Sequence, residues 1–212
     1  MKAVVFDVGE TLVDESRLWG VWADWLGVPR FTFFVALGSV IGSGRDHRDV
    51  FALLGFDYER EAAARASAGI VGGFEPADLY PDVRPCFDAL RADGCAIAVV
   101  GNQPARAQGQ LEQLALPVDW VATSAGWGVS KPAPAFFERV ATEMGRDPAD
   151  IVHVGDRVDN DVVPAAAAGM VSVFIRRGPW AMIQRDRPGA EQARIAIDSL
   201  AELPAALRAL ER

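Results

Sequence analysis

The sequence predicts an α/β fold in which helices pack on a parallel β-sheet, with one all-helical insertion. Two observations support this prediction. Short apolar runs of strand length alternate with amphipathic helical stretches over most of the chain, as in successive βαβ units. One long segment, residues 14–81, breaks this alternation and has helical patterning alone. We therefore expect a core of residues 1–13 and 82–212, with the insertion between its first two strands.

The individual elements follow from apolar runs and from residues that begin or end helices. Buried strands are predicted at 2–6, 96–100, 118–122, 151–154, 171–175 and 194–197. Amphipathic helices are predicted at about 82–93, 104–114, 133–145, 160–168 and 199–211. Asp82 and Pro104 are typical of helix starts, and Gly94 and Gly145 are typical of helix ends.

The insertion contains an aromatic stripe at helical spacing. Leu18, Trp22, Trp25 and Leu26 fall at positions i, i+4, i+7 and i+8, so they share one face of a helix. An Ala-rich stretch at 60–70 continues in helical fashion. We interpret the stripe as the core of the insertion and not as a ligand site.

Composition limits the classes of partner. The 212 residues suit one domain, or a core with an inserted subdomain. The net charge of -8 argues against nucleic acid and anionic membranes, which both attract basic patches. No apolar run approaches the roughly 18 residues of a membrane span and no signal pattern is present, so we expect a soluble, cytoplasmic protein. Cys86 and Cys95 lie in apolar surroundings and are predicted to be buried, reduced thiols. The oligomeric state is left open.

Polar motifs follow the ends of the predicted strands. Asp7 comes directly after the first run, and Gly101 and Asn102 end the second. Asp156 follows the fourth run, with Asp161 five residues later. The carboxyl ends of parallel strands meet at one edge of a sheet, where the sites of α/β proteins form. The sequence therefore predicts a functional site at this edge.

Lys131 precedes a predicted helix and is one of only two lysines, with Lys2, among 21 basic residues. A chain that uses Arg at nearly every other basic position favours a specific need for a compact ammonium at residue 131.

The ordered set of Asp7, Lys131-Pro132, Gly155-Asp156 and Asp161 resembles the motifs of the haloacid dehalogenase superfamily of hydrolases. The resemblance extends from Asp7 to about Arg176. It implies a Rossmann-like core, and it identifies residues 14–81 with the helical insertion that is called a class-1 cap in that family.

The resemblance also implies a reaction and a cofactor. Asp7 would attack phosphorus to form an aspartyl-phosphate, and Lys131 would hold this nucleophile and offset phosphoryl charge. Mg²⁺ would be the cofactor, since a carboxylate attacks an anionic phosphoryl group poorly unless charge is neutralised. The metal ligands would be Asp7, the main-chain carbonyl of Gly9 and Asp156, with Asp161 beside them.

The substrate implied is a small phosphoester. The main-chain N–H groups of Gly101 and Asn102, together with Thr11, would bind its phosphoryl group. The alternative interpretation of Asp159 and Asp161 is a helix N-terminal capping cluster, because acids are favoured there.

Two residues depart from the family pattern. Phosphatases of the family usually have a second Asp where this chain has Gly9, and that Asp transfers protons to the leaving group and from water. Such general acid–base catalysis contributes about 10²–10⁴-fold. Glu10 is adjacent, but its side chain is expected to point away from the position of the missing carboxyl. The usual Ser or Thr of the second motif is Gly101 here, so a hydroxyl contact is lost.

These departures keep other functions open. In the dehalogenase branch, the second Asp is also absent and no metal is used, although that branch usually lacks the acidic pair that Asp156 and Asp161 form here. The phosphonatase branch needs a cap lysine, and residues 14–81 contain none. A catalytically weak binding or regulatory protein is the third possibility. His153 is interpreted as a packed residue, and the loop at 176–180 is assigned no chemistry.

Overall fold

The computed structural model describes residues 3–70 and 72–210. The chain divides into two compact units. The larger unit comprises Met1–Asp14 and Glu75–Arg212, and the smaller unit comprises Glu15–Phe74.

The larger unit is built on a six-stranded sheet with order β3-β2-β1-β4-β5-β6 in which every pair is parallel. The strands are β1 Ala3–Phe6, β2 Ala96–Gly101, β3 Trp120–Thr123, β4 Ile151–Gly155, β5 Val171–Ile175 and β6 Ile195–Ile197. Each confirms a predicted run to within two residues at either end, because strands covered on both faces are continuous apolar segments. Residue 2, the predicted start of the first run, lies outside the described residues.

The smaller unit is helical throughout its described residues. Its helices are α1 Ser16–Trp25, α2 Arg30–Gly42, α3 Asp49–Leu53 and α4 Tyr58–Ser67. The four residues of the predicted stripe are half-buried, and the Trp22 ring meets the ring of buried Phe51 edge-on, with the ring centres 4.8 Å apart. The guanidinium of buried Arg65 lies 3.9 Å from the centre of the Trp22 ring. No single helix in the described chain has both the length and the apolar composition of a membrane span, and α1 and α2 meet that test jointly only with a 115° bend between them.

The helices of the larger unit flank its sheet. They are α5 Val83–Ala92, α6 Ala107–Gln113, α7 Ser124–Trp127, α8 Pro134–Met144, α9 Val163–Ala167, α10 Gly178–Gln184 and α11 Leu203–Leu210. On one face, α8 buries Phe136 and Phe137 completely against the sheet, and burial of such side chains contributes roughly 1.5–3 kcal/mol each.

Three predicted helices differ from the sequence pattern at their first turns. The segment at 104–114 becomes helical only at Ala107, and a 3₁₀ turn, Leu200–Glu202, precedes α11. The predicted helix at 160–168 opens instead with a π-helical turn, Val158–Val162, before α9. Residue 211, the predicted end of the last helix, lies outside the described residues.

The two segments that leave and re-enter the larger unit pair with each other. The N–H of Tyr80 donates to the carbonyl of Leu12 at 3.0 Å, and the N–H of Asp14 donates to the carbonyl of Asp78 at 2.8 Å. This pairing explains why residues 75–81, which the sequence placed in the insertion, group with the larger unit.

Strand order places the polar motifs together. The chain adds β2 and β3 on one side of β1 and then β4, β5 and β6 on the other side, so the strand order changes direction between β1 and β4. Ligand sites of α/β sheets lie beside such a switch point. Phe6 pairs with Val99 on one side and Val154 on the other. Asp7 continues this ladder, since its N–H donates to the Val154 carbonyl at 2.9 Å. The residues that follow β1, β2 and β4 therefore share one edge.

Candidate active site

A buried ammonium bridges two carboxylates at the centre of this edge. Lys131 Nζ lies 2.6 Å from Asp7 Oδ1 and 2.6 Å from Asp161 Oδ1. The three side chains come from the end of β1, the loop before α8 and the π-helical turn after β4. All three are buried, so the charges attract each other with little screening by water.

Asp156 completes an acidic cluster with two of these residues. Single carboxylate oxygens of Asp7, Asp156 and Asp161 all lie within 4.8 Å of one another. Asp156 is 1% exposed, and among the described residues its Oδ2 has no hydrogen-bond partner. A buried carboxylate oxygen without a partner is costly, which indicates that a cation or a proton belongs at this oxygen.

The pKa values of the three carboxyls diverge, because burial and neighbouring charges act on each of them differently. Burial, followed by the charges of Asp7 and Asp161, raises the pKa of Asp156 well above its usual value. Burial also raises the pKa of Asp7, although the Lys131 charge opposes this. Burial acts on Asp161 in the same direction, but Lys131 and His153 outweigh it and hold its pKa below the usual range. Asp161 is therefore the carboxylate that stays ionised most readily.

The donor set fits a hard divalent cation. With all three carboxylates ionised and Lys131 protonated, the cluster has two uncompensated negative charges. Carboxylate oxygens are the ligands that Mg²⁺ prefers, usually one or two together with water and substrate oxygens. A bound divalent cation would neutralise the two uncompensated negative charges and would give Asp156 Oδ2 a partner.

Two glycines are required by the close approach of site carboxylates. A Cβ on Gly101 would lie 2.8 Å from Asp7 Oδ1 and 3.0 Å from Val8 Cγ2. A Cβ on Gly155 would collide with the Asp161 side chain. Any side chain at position 101, including the usual hydroxyl residue, would therefore require the Asp7 carboxylate or the Val8 side chain to shift.

Asn102 has a contact that the sequence did not predict. Its side-chain Nδ2 donates to the carbonyl of Lys131 at 2.8 Å, and its Oδ1 accepts from the Lys131 N–H at 2.9 Å. The sequence assigned only the main-chain N–H of Asn102, as an anion donor. The side chain instead holds the backbone of the lysine, whose peptide bond to Pro132 is cis.

His153 is packed as expected, but it also reaches the site. It is fully buried in β4, and its ring lies 5.3 Å from that of Phe137. Its Nε2 lies 3.0 Å from Asp161 Oδ1, the oxygen that also contacts Lys131. The sequence signal for this contact was the alternation of side chains along a strand, which puts residues 153 and 155 on the same face.

The remaining predicted residues lie in the turn after Asp7. Gly9 is half-buried and bridges to Val13. Thr11 is fully buried, and among the described residues its Oγ1 has no hydrogen-bond partner. Its assignment as a phosphate contact stays a prediction.

Comparisons with known proteins point to one family. A family profile described as haloacid dehalogenase-like hydrolase matches residues 1–169. The chain is 32% identical over 203 residues to the glyceraldehyde 3-phosphate phosphatase of Methanopyrus kandleri, covering 85% of this chain and 86% of that protein.

Solved structures show the same fold. A haloacid dehalogenase-type (HAD) phosphatase from Thermococcus onnurineus superposes with a TM-score of 0.63 at 27% identity, covering 98% of both chains. The L-2-haloacid dehalogenase of Xanthobacter autotrophicus superposes with a TM-score of 0.66 at 21% identity, also over 98% of both chains. The profile match covers well over half of the sequence, and the motif residues meet at one edge of the sheet. The chain therefore belongs to the haloacid dehalogenase-like hydrolase family.

Proposed function

We propose that this protein is a magnesium-dependent phosphatase that hydrolyses a small phosphorylated metabolite through an aspartyl-phosphate at Asp7. The observation that carries the proposal is the buried 2.6 Å contact of Asp7 with Lys131, beside the carboxyls of Asp156 and Asp161. The phosphatase name of the M. kandleri relative supports a phosphoester substrate.

The metal would be held by Asp7, Asp156 and the main-chain carbonyl of Gly9, with Asp161 next to them. Bound there, Mg²⁺ supplies charge neutralisation and orientation of phosphoryl oxygens. The unpartnered Oδ2 of Asp156 and the two uncompensated charges of the cluster support this assignment.

Asp7 acts as the nucleophile in the first half-reaction. A carboxylate oxygen forms a bond to phosphorus while the ester P–O bond breaks, and the electron pair leaves on the alcohol oxygen. Lys131 stays in contact with Oδ1, so its ammonium orients the carboxylate and balances the negative charge that collects at the reacting atoms. In the second half-reaction, water adds to phosphorus, the bond to Asp7 breaks and orthophosphate leaves.

Proton transfer is the weak part of this cycle. Gly9 has no side chain to give a proton to the leaving alcohol or to take one from the attacking water. Both protons are exchanged with solvent, which favours substrates whose alcohols leave readily as anions.

Asp161 and His153 serve the reaction through Lys131. Lys131 and His153 both contact Asp161 Oδ1, and the N–H of Arg157 donates to Asp161 Oδ2 at 3.2 Å. Asp161 is thus fixed at both oxygens, and it fixes the ammonium in turn.

Residues 15–74 are proposed to act as the substrate-selecting cap. The helical composition of this unit and its insertion between β1 and β2 support the assignment. The contact between half-buried Trp22 and buried Phe51 would belong to a core of the cap's own.

Halide displacement from a 2-haloacid is a second candidate, and Gly9 is the observation that favours it. A halide leaves as an anion and needs no proton, so the missing acid would matter less in that reaction. The acidic cluster argues for the phosphatase, because a metal-free displacement has no use for Asp156 beside Asp7.

A single set of assays separates these functions. Release of phosphate from p-nitrophenyl phosphate, glyceraldehyde 3-phosphate and other small phosphoesters is measured with and without Mg²⁺, beside halide release from 2-haloacids. Magnesium-dependent phosphate release that disappears in Asp7→Asn is expected. Asp159→Asn is the matched control, since Asp159 belongs to the same acidic run but pairs with Arg157 at 2.8 Å and is mostly exposed. Metal-independent halide release would select the dehalogenase, and inactivity in both assays would indicate a binding protein.

A further inference from the structure

Glu10 occupies a position in the nucleophile turn where a side chain is disfavoured. Its φ of 52° lies in the left-handed region, which glycine adopts readily and other residues adopt at a cost. Glu10 directly follows Gly9, so the left-handed position is occupied by the acid and not by the glycine beside it. Glu10 is only 4% exposed. A strained and buried carboxyl persists only where its surroundings hold it.

Tyr80 and Gly178 provide those surroundings. The Tyr80 hydroxyl donates to Glu10 Oε2 at 2.7 Å. A Cβ on Gly178 would lie 2.6 Å from Glu10 Cβ and 2.7 Å from Glu10 Cγ, so the absence of a side chain at residue 178 makes room for the glutamate. Burial, followed by the Glu10 charge, raises the pKa of Tyr80, and its hydroxyl therefore remains a donor.

Arg177 joins this contact to the main chain of the same turn. Its guanidinium donates to the carbonyl of Thr11 and, through Nε at 3.3 Å, to the carbonyl of Glu10. It stacks on the Tyr80 ring at 3.8 Å and is anchored by both oxygens of Asp82 at 2.9 Å. The turn after Asp7 is thus held by both the side chain and the carbonyl of Glu10.

We propose that Glu10 is a positioning residue that, through Tyr80 and Arg177, clamps the turn following Asp7 and so sets the direction of the nucleophile. The inference rests on the proposed phosphatase function, since it concerns the same Asp7. The clamp assigns a role to the loop after β5, which supplies Arg177 and Gly178.

The test compares Tyr80→Phe, Glu10→Gly and Glu10→Gln with the wild type, using p-nitrophenyl phosphate and Mg²⁺. Tyr80→Phe removes only the donor, Glu10→Gly removes the acceptor, and Glu10→Gln keeps a carbonyl oxygen for the hydroxyl. Misplacement of a reacting group by about 1 Å lowers rates by up to about 100-fold, and smaller displacements cost less. We expect kcat losses in this range for the first two variants, with KM changed by less than about twofold, and recovery in Glu10→Gln. The double variant Tyr80→Phe/Glu10→Gly should lose no more than the worse single variant, because both disrupt one contact.

A matched control separates positioning from general destabilisation. Ser172→Ala also removes a hydrogen bond of a buried hydroxyl, from Ser172 Oγ to the carbonyl of Gln192 at 3.0 Å. Ser172 lies near the start of β5, whereas the loop that contains Arg177 follows the end of this strand. It should lower the melting temperature about as much as Tyr80→Phe while leaving kcat unchanged. A similar kcat loss in Ser172→Ala would mean that stability alone explains the clamp variants.

Two outcomes would overturn the proposal. If Glu10→Gln is as slow as Glu10→Gly while Tyr80→Phe has wild-type kcat, then Glu10 transfers protons and is not a clamp. Hydrogen exchange of the peptide covering residues 7–13 gives a readout that does not depend on activity. Faster exchange in Tyr80→Phe is expected, and unchanged exchange would contradict the clamp even if the wild type shows no phosphatase activity. Inactivity with faster exchange would overturn the proposed function and leave the clamp standing.

Discussion

Asn102 and Lys131 are joined by a two-point hydrogen bond, with Nδ2 on the Lys131 carbonyl at 2.8 Å and Oδ1 on the Lys131 N–H at 2.9 Å. The contact ties the end of β2 to the loop that supplies the ammonium. Because Lys131 in turn contacts Asp7, the amide of Asn102 is linked to the nucleophile through Lys131. It restrains the main chain of the lysine and does not contact the reacting carboxyl.

Asn102→Ala should therefore lower kcat by up to about 100-fold with little change in KM, as expected for a displacement of a reacting group. Steady-state kinetics with p-nitrophenyl phosphate measures this directly. The variant keeps the main-chain N–H of residue 102, so the phosphate contact predicted from the sequence survives in it. A raised KM with unchanged kcat would show that the side chain binds substrate instead.

Asp156→Asn should weaken Mg²⁺ binding strongly, because it replaces an anionic ligand at the oxygen that has no partner within the described structure. Isothermal titration calorimetry of the metal alone measures this without any substrate. Asp159→Asn, which changes an exposed acid paired with Arg157, is the control and should bind Mg²⁺ as the wild type does. Equal affinity in the two variants, or no binding in the wild type, would show that the metal site is misassigned.

Gly9 should make breakdown of the aspartyl-phosphate limit turnover. An aryl phosphate, whose alcohol leaves without protonation, should give a burst of aryl alcohol equal to the enzyme present, while an alkyl phosphate reacts slowly. Gly9→Asp should raise the steady-state rate, by at most the roughly 10²–10⁴-fold that general acid–base catalysis supplies. Rapid-mixing kinetics detects the burst. Absence of both the burst and the gain would mean that another group already transfers these protons.

Removal of residues 15–74 should leave a folded core. The flanking segments already pair with each other through Leu12–Tyr80 and Asp14–Asp78, so a short Gly/Ser linker from residue 14 to residue 75 preserves this contact. Circular dichroism should show an α/β spectrum and cooperative unfolding. Aggregation of the shortened chain would mean that the two units depend on a common core.

Cys86 should resist alkylation in the native protein. Burial, followed by the Asp82 charge, raises the pKa of its thiol to about 12. The thiolate is the reactive form, and at pH 8 only about one thiol in 10⁴ would be ionised. Iodoacetamide labelling followed by peptide mass spectrometry should find Cys86 unmodified in the native protein and modified in urea. Labelling of the native protein at the unfolded rate would reveal frequent opening of α5.

Local sequence patterns predict the strands and the edge of the sheet where the site lies. Each of the six strands was predictable because a strand buried on both faces is a continuous apolar run, a signal contained within a few neighbouring residues. Asp7 and Asp156 could be placed because each directly follows such a run. The glycines at 9 and 101 were visible as departures for the same local reason. The π-helical turn before α9 was not predicted, because helical periodicity indicates a helix without distinguishing its type.

Which side chains meet, and how readily each is ionised, depends on the tertiary fold. Lys131 contacts Asp7 across 124 residues and Asp161 across 30, and Glu10 meets Tyr80 across 70. Such pairs depend on strand order and side-chain rotamers, which no local pattern encodes. Burial and neighbouring charges then set the pKa values: Lys131 and His153 hold the pKa of Asp161 below its usual range, while burial and the charges of Asp7 and Asp161 raise that of Asp156.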